Sequence, residues 1–394
     1  MADGPGEFDA WMLITFAVVA SGLIALHILS IVIAGRRLSR QDTPNSFSHK
    51  KPPVSLVIPL RGIEAFTSLT LARAFQIKWP DYEILFCVAD SNDPVVPVAK
   101  EFIHQNPHVS AVLLVGDDNL SPNPKLNNCV KGWRAAQHDW VVIADSNVLM
   151  RSSYITAMMA AWRDDTGLVC SPPLGSNPVG FWAEVECAFL NTFQARYQYA
   201  AEAIGIGFAQ GKSMLWHKPF LDSIGGIASL GAEIAEDAAA TKLVRAAGRS
   251  VHLVSGPFEQ PLGRRTMMEV CSRQARWACL RRATFPVFFA PEILAGALPP
   301  VCFAVASLGL GGFGFTGSAV IILVIGAAMY VPEMVLALRK GWHVSVYTLP
   351  ALFVRDLLLP AIWCRGWVGH SVSWRGNVMA IKTKRSTLGD PEFL

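Results

Sequence analysis

Residues 11–35 run for 25 positions without an aspartate, glutamate, lysine or arginine. Wound as a helix at about 1.5 Å per residue, such a run covers a hydrocarbon layer of about 30 Å, so it predicts a transmembrane helix and excludes a chain that is soluble throughout. Acidic residues precede it (Asp3, Glu7, Asp9) and basic ones follow (Arg36, Arg37, Arg40). That asymmetry places the amino terminus outside and the next domain in the cytoplasm. A cleaved signal peptide would begin basic and carry a shorter apolar core. His27, inside the run, is expected to pack against protein or face headgroups.

The span does not account for the whole chain. Hydrophobic residues make up 52% of the 394 positions and charged residues only 16%, below the roughly 25% of soluble proteins. Yet the charged residues concentrate between Arg36 and Arg282, as expected of one soluble domain held between membrane segments. The net charge of +4 sits largely beside apolar stretches, which points to membrane topology and not to nucleic acid. The eight cysteines form no C-x-x-C pair and the nine histidines no metal-ligand spacing, so reduced core thiols are expected and a zinc site is not.

After an extracytoplasmic segment (1–10), the span (11–35) and a polar, proline-bearing linker (36–53), short apolar runs suited to buried parallel strands occur at 54–60, 82–89, 109–115, 140–144 and 167–171. Helix-like segments separate the first several, the pattern of a doubly wound α/β domain that binds ligands beyond its strand carboxyl ends. The catalytic domain is expected to occupy 54–284. Within it, 181–203 reads as an amphipathic helix whose aromatics pack or cover an acyl chain, 205–216 as tight backbone around a site, and 234–247 as a helix. A membrane region of two or three segments follows at 285–366, then a basic tail at 367–394. Its apolar stretches are 287–310, broken by Pro291, Pro299 and Pro300; 315–338; and 343–363, which carries Arg355 and Asp356. Those two charges are costly in lipid unless they pair or face protein, so a broken or charged segment is expected to be interfacial or re-entrant.

Two strands run directly into carboxylates: 82–89 into Asp90, and 140–144 into Asp145-Ser146-Asn147. At one sheet rim, Asp90 can accept from a nucleobase or ribose, and Asp145 can hold a divalent cation on a diphosphate. The plainer explanation is that aspartates end strands and start turns. Glu236-Asp237 opens a helix, where carboxylates also serve as caps; chemically, Asp237 suits a general base for an acceptor hydroxyl. Lys125 and Asn127 can approach phosphate or ribose, or lie solvated on a helix. Finally, Arg264, Arg265, Arg273, Arg276, Trp277, Arg281 and Arg282 gather just before the apolar carboxyl-terminal region. Guanidinium forks suit diphosphate oxygens and an indole can cover a sugar or acyl chain, although a basic flank also fixes topology.

Taken in order, Asp90, Asp145-Ser146-Asn147, Glu236-Asp237 and Arg273-x-x-Arg276-Trp277 resemble the D, D, D, (Q/R)-x-x-R-W series of the ceramide glucosyltransferase family, a membrane-bound branch of the inverting GT-A glycosyltransferases. The resemblance covers nearly the whole chain, including the amino-terminal span, VSLVIPLRG at the start of the sheet, the GKS at 211–213 and Trp374-Arg375-Gly376. It implies a cytoplasmic GT-A fold (Rossmann-like, nucleotide-sugar-binding) that transfers glucose from UDP-glucose to the primary hydroxyl of ceramide with inversion. The membrane would be the inner membrane of a bacterium, or the Golgi or ER of a eukaryote. Carried over by position, Asp90 contacts the nucleotide, Asp145 the metal (Mg²⁺ or Mn²⁺) on the diphosphate, and Asp237 is the base. Arg273, Arg276 and Trp277 hold the donor and frame the acceptor. Asn147 departs from Asp-x-Asp and removes one charge from the expected metal site. The alternatives are transfer to a hopanoid, diacylglycerol or polyprenyl phosphate, and a lipid-binding protein without activity.

Overall fold

The computed structural model describes residues 7–40, 50–312, 314–369, 371–374 and 377–380. The first six residues, most of the linker, and Arg375, Gly376, Lys382, Lys384 and Arg385 lie outside them. Helix α1 (Glu7–Arg37) realises the first span and extends beyond it. Its last arginine is not a solvated flank. Arg37 is buried, paired with Glu202 and donating from Nη2 to the Leu253 carbonyl at 2.7 Å, so the span is riveted to the soluble body.

That body opens with β1 (Val54–Leu60), α2 (Thr67–Ala74), β2 (Tyr82–Val88), α3 (Val95–Gln105), β3 (Ser110–Val115), α4 (Pro124–Ala135), β4 (Trp140–Ala144), α5 (Tyr154–Ala160) and β5 (Thr166–Cys170). The five expected strands are thus present. Because side chains alternate along a strand, Val54, Leu56, Ile58 and Leu60 face one core with α2, α3 and α5, while Val57 faces the other with α4. Both faces are covered, as the unbroken apolar runs require.

The second half continues with β6 (Pro173–Val179), α6 (Phe181–Ala188), a π-helical segment (Phe189–Ala195), α7 (Arg196–Ala203), β7 (Ser213–His217), α8 (Lys218–Ser223), α9 (Glu236–Ala246), β8 (Ser250–Leu253) and β9 (Phe258–Arg264). The large sheet has the order β3-β2-β1-β4-β7-β5-β8, and β7 runs antiparallel to both its neighbours. The stretch 205–216, read as tight backbone around a site, ends in a central strand. Since β7 runs backwards, it begins where β4 ends, and Ala144 pairs with Ser213. The expected helix at 181–203 is continuous apart from its π-helical middle, and Phe189 and Phe193 share one apolar cluster with residues of the carboxyl-terminal helices such as Ile325 and Leu352.

Thr266 caps α10 (Met267–Thr284) through a reciprocal capping box with Glu269. Beyond it come α11 (Pro286–Phe289), a 3₁₀ turn at Ala290–Leu294, α12 (Leu298–Leu310), α13 (Phe315–Arg339) and α14 (Thr348–Val368). Among the described residues α1 and α13 are long and apolar enough to cross a membrane, and the pair 286–294 and 298–310, bent by 47° at the break over 295–297 where Gly296 has φ +83°, can form a third span. Helix α14 carries Arg355 and Asp356, both fully buried. Arg355 donates to Glu333 of α13 at 2.7 Å and to Asp356 at 2.8 Å; Asp356 accepts from the Ala297 N–H at 2.7 Å. The charges therefore face protein, as their position demanded. His27 joins the same cluster, 2.8 Å from the Met329 carbonyl and 3.7 Å from Glu333.

Candidate functional site

The carboxyl edge of the sheet collects the chemistry. Asp145 follows β4 and Lys212 precedes β7; the Asp145 N–H donates to the Lys212 carbonyl at 3.0 Å, which sets their side chains beside each other. Lys212 Nζ lies 2.8 Å from Asp145 Oδ2, and Lys125 Nζ lies 2.7 Å from Oδ1. Lys125 stands in the first turn of α4, which Asn123 caps by accepting from the N–H groups of Lys125 and Leu126. The same ammonium reaches Glu236 Oε1 at 2.6 Å and donates to the Gly211 carbonyl. Glu236 is held a second time by Asn123 Nδ2 at 2.6 Å. Two expectations change here. Lys125 is not a solvated helix residue but the hub of the acidic centre. Asn127 pairs with Ser121, accepting from its N–H at 2.9 Å and donating to its carbonyl at 2.9 Å, so it shapes a loop.

Asp237 sits beside this hub, at the start of α9. Its Oδ2 accepts from the Gly211 N–H at 3.0 Å and its Oδ1 from the Ala238 N–H at 2.8 Å. Solvent reaches part of the side chain, yet protein surrounds it densely. Burial, with the neighbouring Glu236 charge in second place, pushes its carboxyl up to about 6, against the pull of Lys125 and the two N–H donors. Asp145 goes the other way. Burial alone would raise it, but the two ammonium groups hold it well below the usual carboxylate range. The same ion pairs, to Asp145 and Glu236, overcome burial to keep Lys125 well above the ordinary lysine value. Two carboxylates in one cluster are thus driven apart, Asp145 downward by its two ammonium partners and Asp237 upward by burial beside Glu236.

Asp90 stands apart from that cluster, exposed beyond β2, with Oδ1 accepting from the Asn92 N–H at 2.9 Å. The turn after it is fixed by Asp93, whose carboxylate accepts from the Gly62 N–H at 2.9 Å and the Val95 N–H at 2.9 Å. A cavity of about 30 Å³ opens next to the end of β4, lined among others by Glu64, Ser146, Asn147, Leu262 and Arg265. Arg265 donates to Glu186 Oε2 at 3.0 Å, and Arg273 pairs with Glu186 Oε1. Trp277 packs on Cys187, Leu190 and Leu262. Half-buried Arg276 lies one turn after Arg273 on α10. The last two arginines of the basic stretch are structural ties. Arg281 forms a two-pronged pair with Glu292 at 2.7 Å, and Arg282 donates to the Gly366 and Gly369 carbonyls at the end of α14.

Sequence reasoning named Asp145, Asp237, Glu236 and Lys125, and the fold brings these four together. It did not name Lys212 or Glu186 for roles of their own. Among the described residues no group of three or more histidine, cysteine, aspartate or glutamate side chains gathers as a metal site. Asp145, the expected cation ligand, already has an ammonium on each oxygen.

Comparison with known proteins agrees with this layout. A family profile described as Glycosyl transferase family 21 matches residues 13–387. Ceramide glucosyltransferase 1 of Caenorhabditis elegans is 26% identical over 385 residues, covering 93% of this chain and 81% of that protein. A ceramide glucosyltransferase of Komagataella phaffii is 39% identical over 112 residues, 27% of this chain and 22% of that protein. Among solved structures, the mannosyltransferase PcManGT from Pyrobaculum calidifontis, in complex with GDP-Man and Mn²⁺, superposes with a TM-score of 0.52 at 15% identity, covering 87% of this chain and 99% of that one. The last likeness is one of fold: a GT-A-like mixed α/β body.

Proposed function

This chain is a sugar-transferring enzyme that belongs to glycosyl transferase family 21, and we propose that it moves glucose from UDP-glucose onto the primary hydroxyl of ceramide with inversion. The observation that carries this reading is Asp237, a carboxylate raised to about 6 inside the charge cluster at the carboxyl edge of the sheet. A base with that affinity for protons is charged at neutral pH and still takes a proton readily. Asp237 accepts the acceptor's hydroxyl proton as that oxygen forms its bond to the sugar carbon. The bond from that carbon to the diphosphate breaks on the opposite face, its electron pair leaving with UDP.

The other residues take complementary parts. Asp90 contacts the nucleotide, exposed at the carboxyl end of β2, two strands from β4. Arg273, Arg276 and Trp277 hold the donor diphosphate and frame the acceptor, on a helix that leads straight into the membrane region. Arg36, Arg40, Arg339 and Lys340, at the same ends of α1 and α13, support a cytoplasmic catalytic body.

The relative in complex with GDP-Man and Mn²⁺ supports a divalent cation, Mg²⁺ or Mn²⁺, with Asp145 as its protein ligand. Since both Asp145 oxygens are engaged by lysines, the residues fit a cation that arrives on the diphosphate and not one held in advance. Bound there, it would supply positive charge against the departing UDP.

A donor screen tests the reading. Purified protein is incubated with ceramide and UDP-glucose, UDP-galactose or UDP-glucuronate, and the lipid product is weighed by mass spectrometry. Glucosylceramide is expected. A glycosylated hopanoid, diacylglycerol or polyprenyl phosphate in a parallel lipid screen, with ceramide untouched, would transfer the assignment to that acceptor. No product and no UDP release would remove it.

A further inference from the structure

Asp-x-Asp places two carboxylates around a shared cation, and this chain has Asp145-Ser146-Asn147 instead. The position between the two side chains is taken. Lys212 Nζ lies 2.8 Å from Asp145 Oδ2 and 3.1 Å from Asn147 Oδ1. An amide oxygen at 147 accepts from an ammonium without adding the second negative charge that a divalent ion would need. The arrangement is built into the sheet: antiparallel β7 starts at the end of β4, and the Asp145 N–H to Lys212 carbonyl bond fixes the register.

The two lysines of the cluster are not equivalent. An ammonium carries three donors. Lys125 directs its three at Asp145, Glu236 and the Gly211 carbonyl, and its side chain is only 9% exposed. Lys212 directs two at Asp145 and Asn147 and leaves one for an incoming acceptor, and its partner Asn147 lines the cavity with Ser146 and Arg265. Around the two lysines stand Asp145, Glu236 and, beside them, Asp237. A free divalent cation at Asp145 would add two positive charges beside the two ammonium groups that already occupy both of its oxygens.

We infer that Lys212 is a resident counter-cation for the donor diphosphate. It gives UDP an affinity that depends little on free divalent cation, and it keeps such a cation off Asp145 until a diphosphate brings it. This rests on the reading that Asp145 lies at the donor diphosphate.

The test uses full-length protein in detergent and two readouts other than turnover: UDP affinity by calorimetry in EDTA and in Mn²⁺, and Mn²⁺ binding without nucleotide by electron paramagnetic resonance. The unaltered protein should bind UDP in EDTA within about threefold of its affinity in Mn²⁺. Lys212→Met should lose at least about tenfold in EDTA and regain most of it in Mn²⁺, as expected when a charge-assisted contact is replaced by a cation. Lys212→Met combined with Asn147→Asp should bind Mn²⁺ without nucleotide, where the unaltered protein does not. Should Lys212→Met melt early, Lys212→Gln repeats the comparison with a neutral donor of similar length. Equal EDTA-to-Mn²⁺ ratios in the unaltered and Lys212 variants would overturn the inference and leave the donor site standing. Failure of the unaltered protein to bind UDP in either condition would overturn the donor reading and this inference with it.

Discussion

The N–H of Gly211 donates to Asp237 Oδ2 at 3.0 Å while its carbonyl accepts from Lys125, so one glycine touches both signs of the charge cluster. No side chain fits there. A Cβ at 211 would lie 2.7 Å from Glu236 Oε1 and 3.2 Å from Lys125 Nζ. Gly211→Ala is therefore expected to push the hub away from Asp237 and lower kcat by about 10- to 100-fold, the order that a small misplacement costs. UDP affinity should change much less. Steady-state kinetics beside UDP calorimetry checks this, and unchanged kcat would remove Gly211 from the positioning of the base.

Asp237→Asn should lower transfer by about 10²- to 10⁴-fold, the usual share of a positioned base, with UDP binding preserved. The same variant should be more stable at neutral pH. The folded carboxyl is raised to about 6 from its ordinary 3.8, so the folded state binds the proton more tightly than the unfolded chain. Its stabilising contribution is complete below the unfolded value and is lost as pH rises through about 6. A permanently neutral amide avoids that loss, and Tm at pH 7.5 should rise by a few degrees in melting curves. In the unaltered enzyme, turnover should fall as pH drops through about 6.

Legibility in the sequence followed the range of the physics involved. The strands β1 to β5 were readable because burial on both faces writes a continuous apolar run, and Asp90 and Asp145 because they end such runs. Strand β7 was not. Its approach, with Gly205, Gly207 and Gly211, reads as loop, and its insertion between β4 and β5 is a property of the sheet. Lys212 and Glu186 escaped for the same reason: their partners lie 65 and 87 positions away at Asn147 and Arg273. Arg355 and Asp356 sit between these cases. Charges in an apolar stretch announce that a partner exists, but nothing nearby names Glu333.

Glu186 carries two guanidinium groups on one buried carboxylate, Arg265 on Oε2 and Arg273 on Oε1. Glu186→Ala leaves both arginines without that charge, and breaking a buried pair from one side costs about 3–5 kcal/mol. Thermal melting should show the loss. Glu186→Gln keeps acceptor geometry without charge and should fold better while raising KM for the UDP-sugar, since Arg273 is then held by a weaker contact. An unaltered KM in a well-folded Glu186→Gln protein would separate Arg273 from donor binding.

Glu333 is the corresponding anchor in the membrane region, fully buried, with Arg355 at 2.7 Å and Arg196 at 3.6 Å. Those partners belong to different elements, α14 and α7, so a single carboxylate of α13 joins a membrane span to the helix beneath the catalytic body. Glu333→Ala strands two buried guanidinium groups and should cost about 3–5 kcal/mol. Glu333→Gln retains an acceptor and should cost less. Because Glu333 touches none of Asp90, Asp145 and Asp237, kcat per folded molecule should stay within about twofold. Melting in lipid nanodiscs with active-site titration by UDP separates the two quantities. If Glu333→Gln lowered kcat as strongly as Asp237→Asn while Tm held, the membrane cluster would have to act on transfer itself and not only on the docking of α7 against the spans.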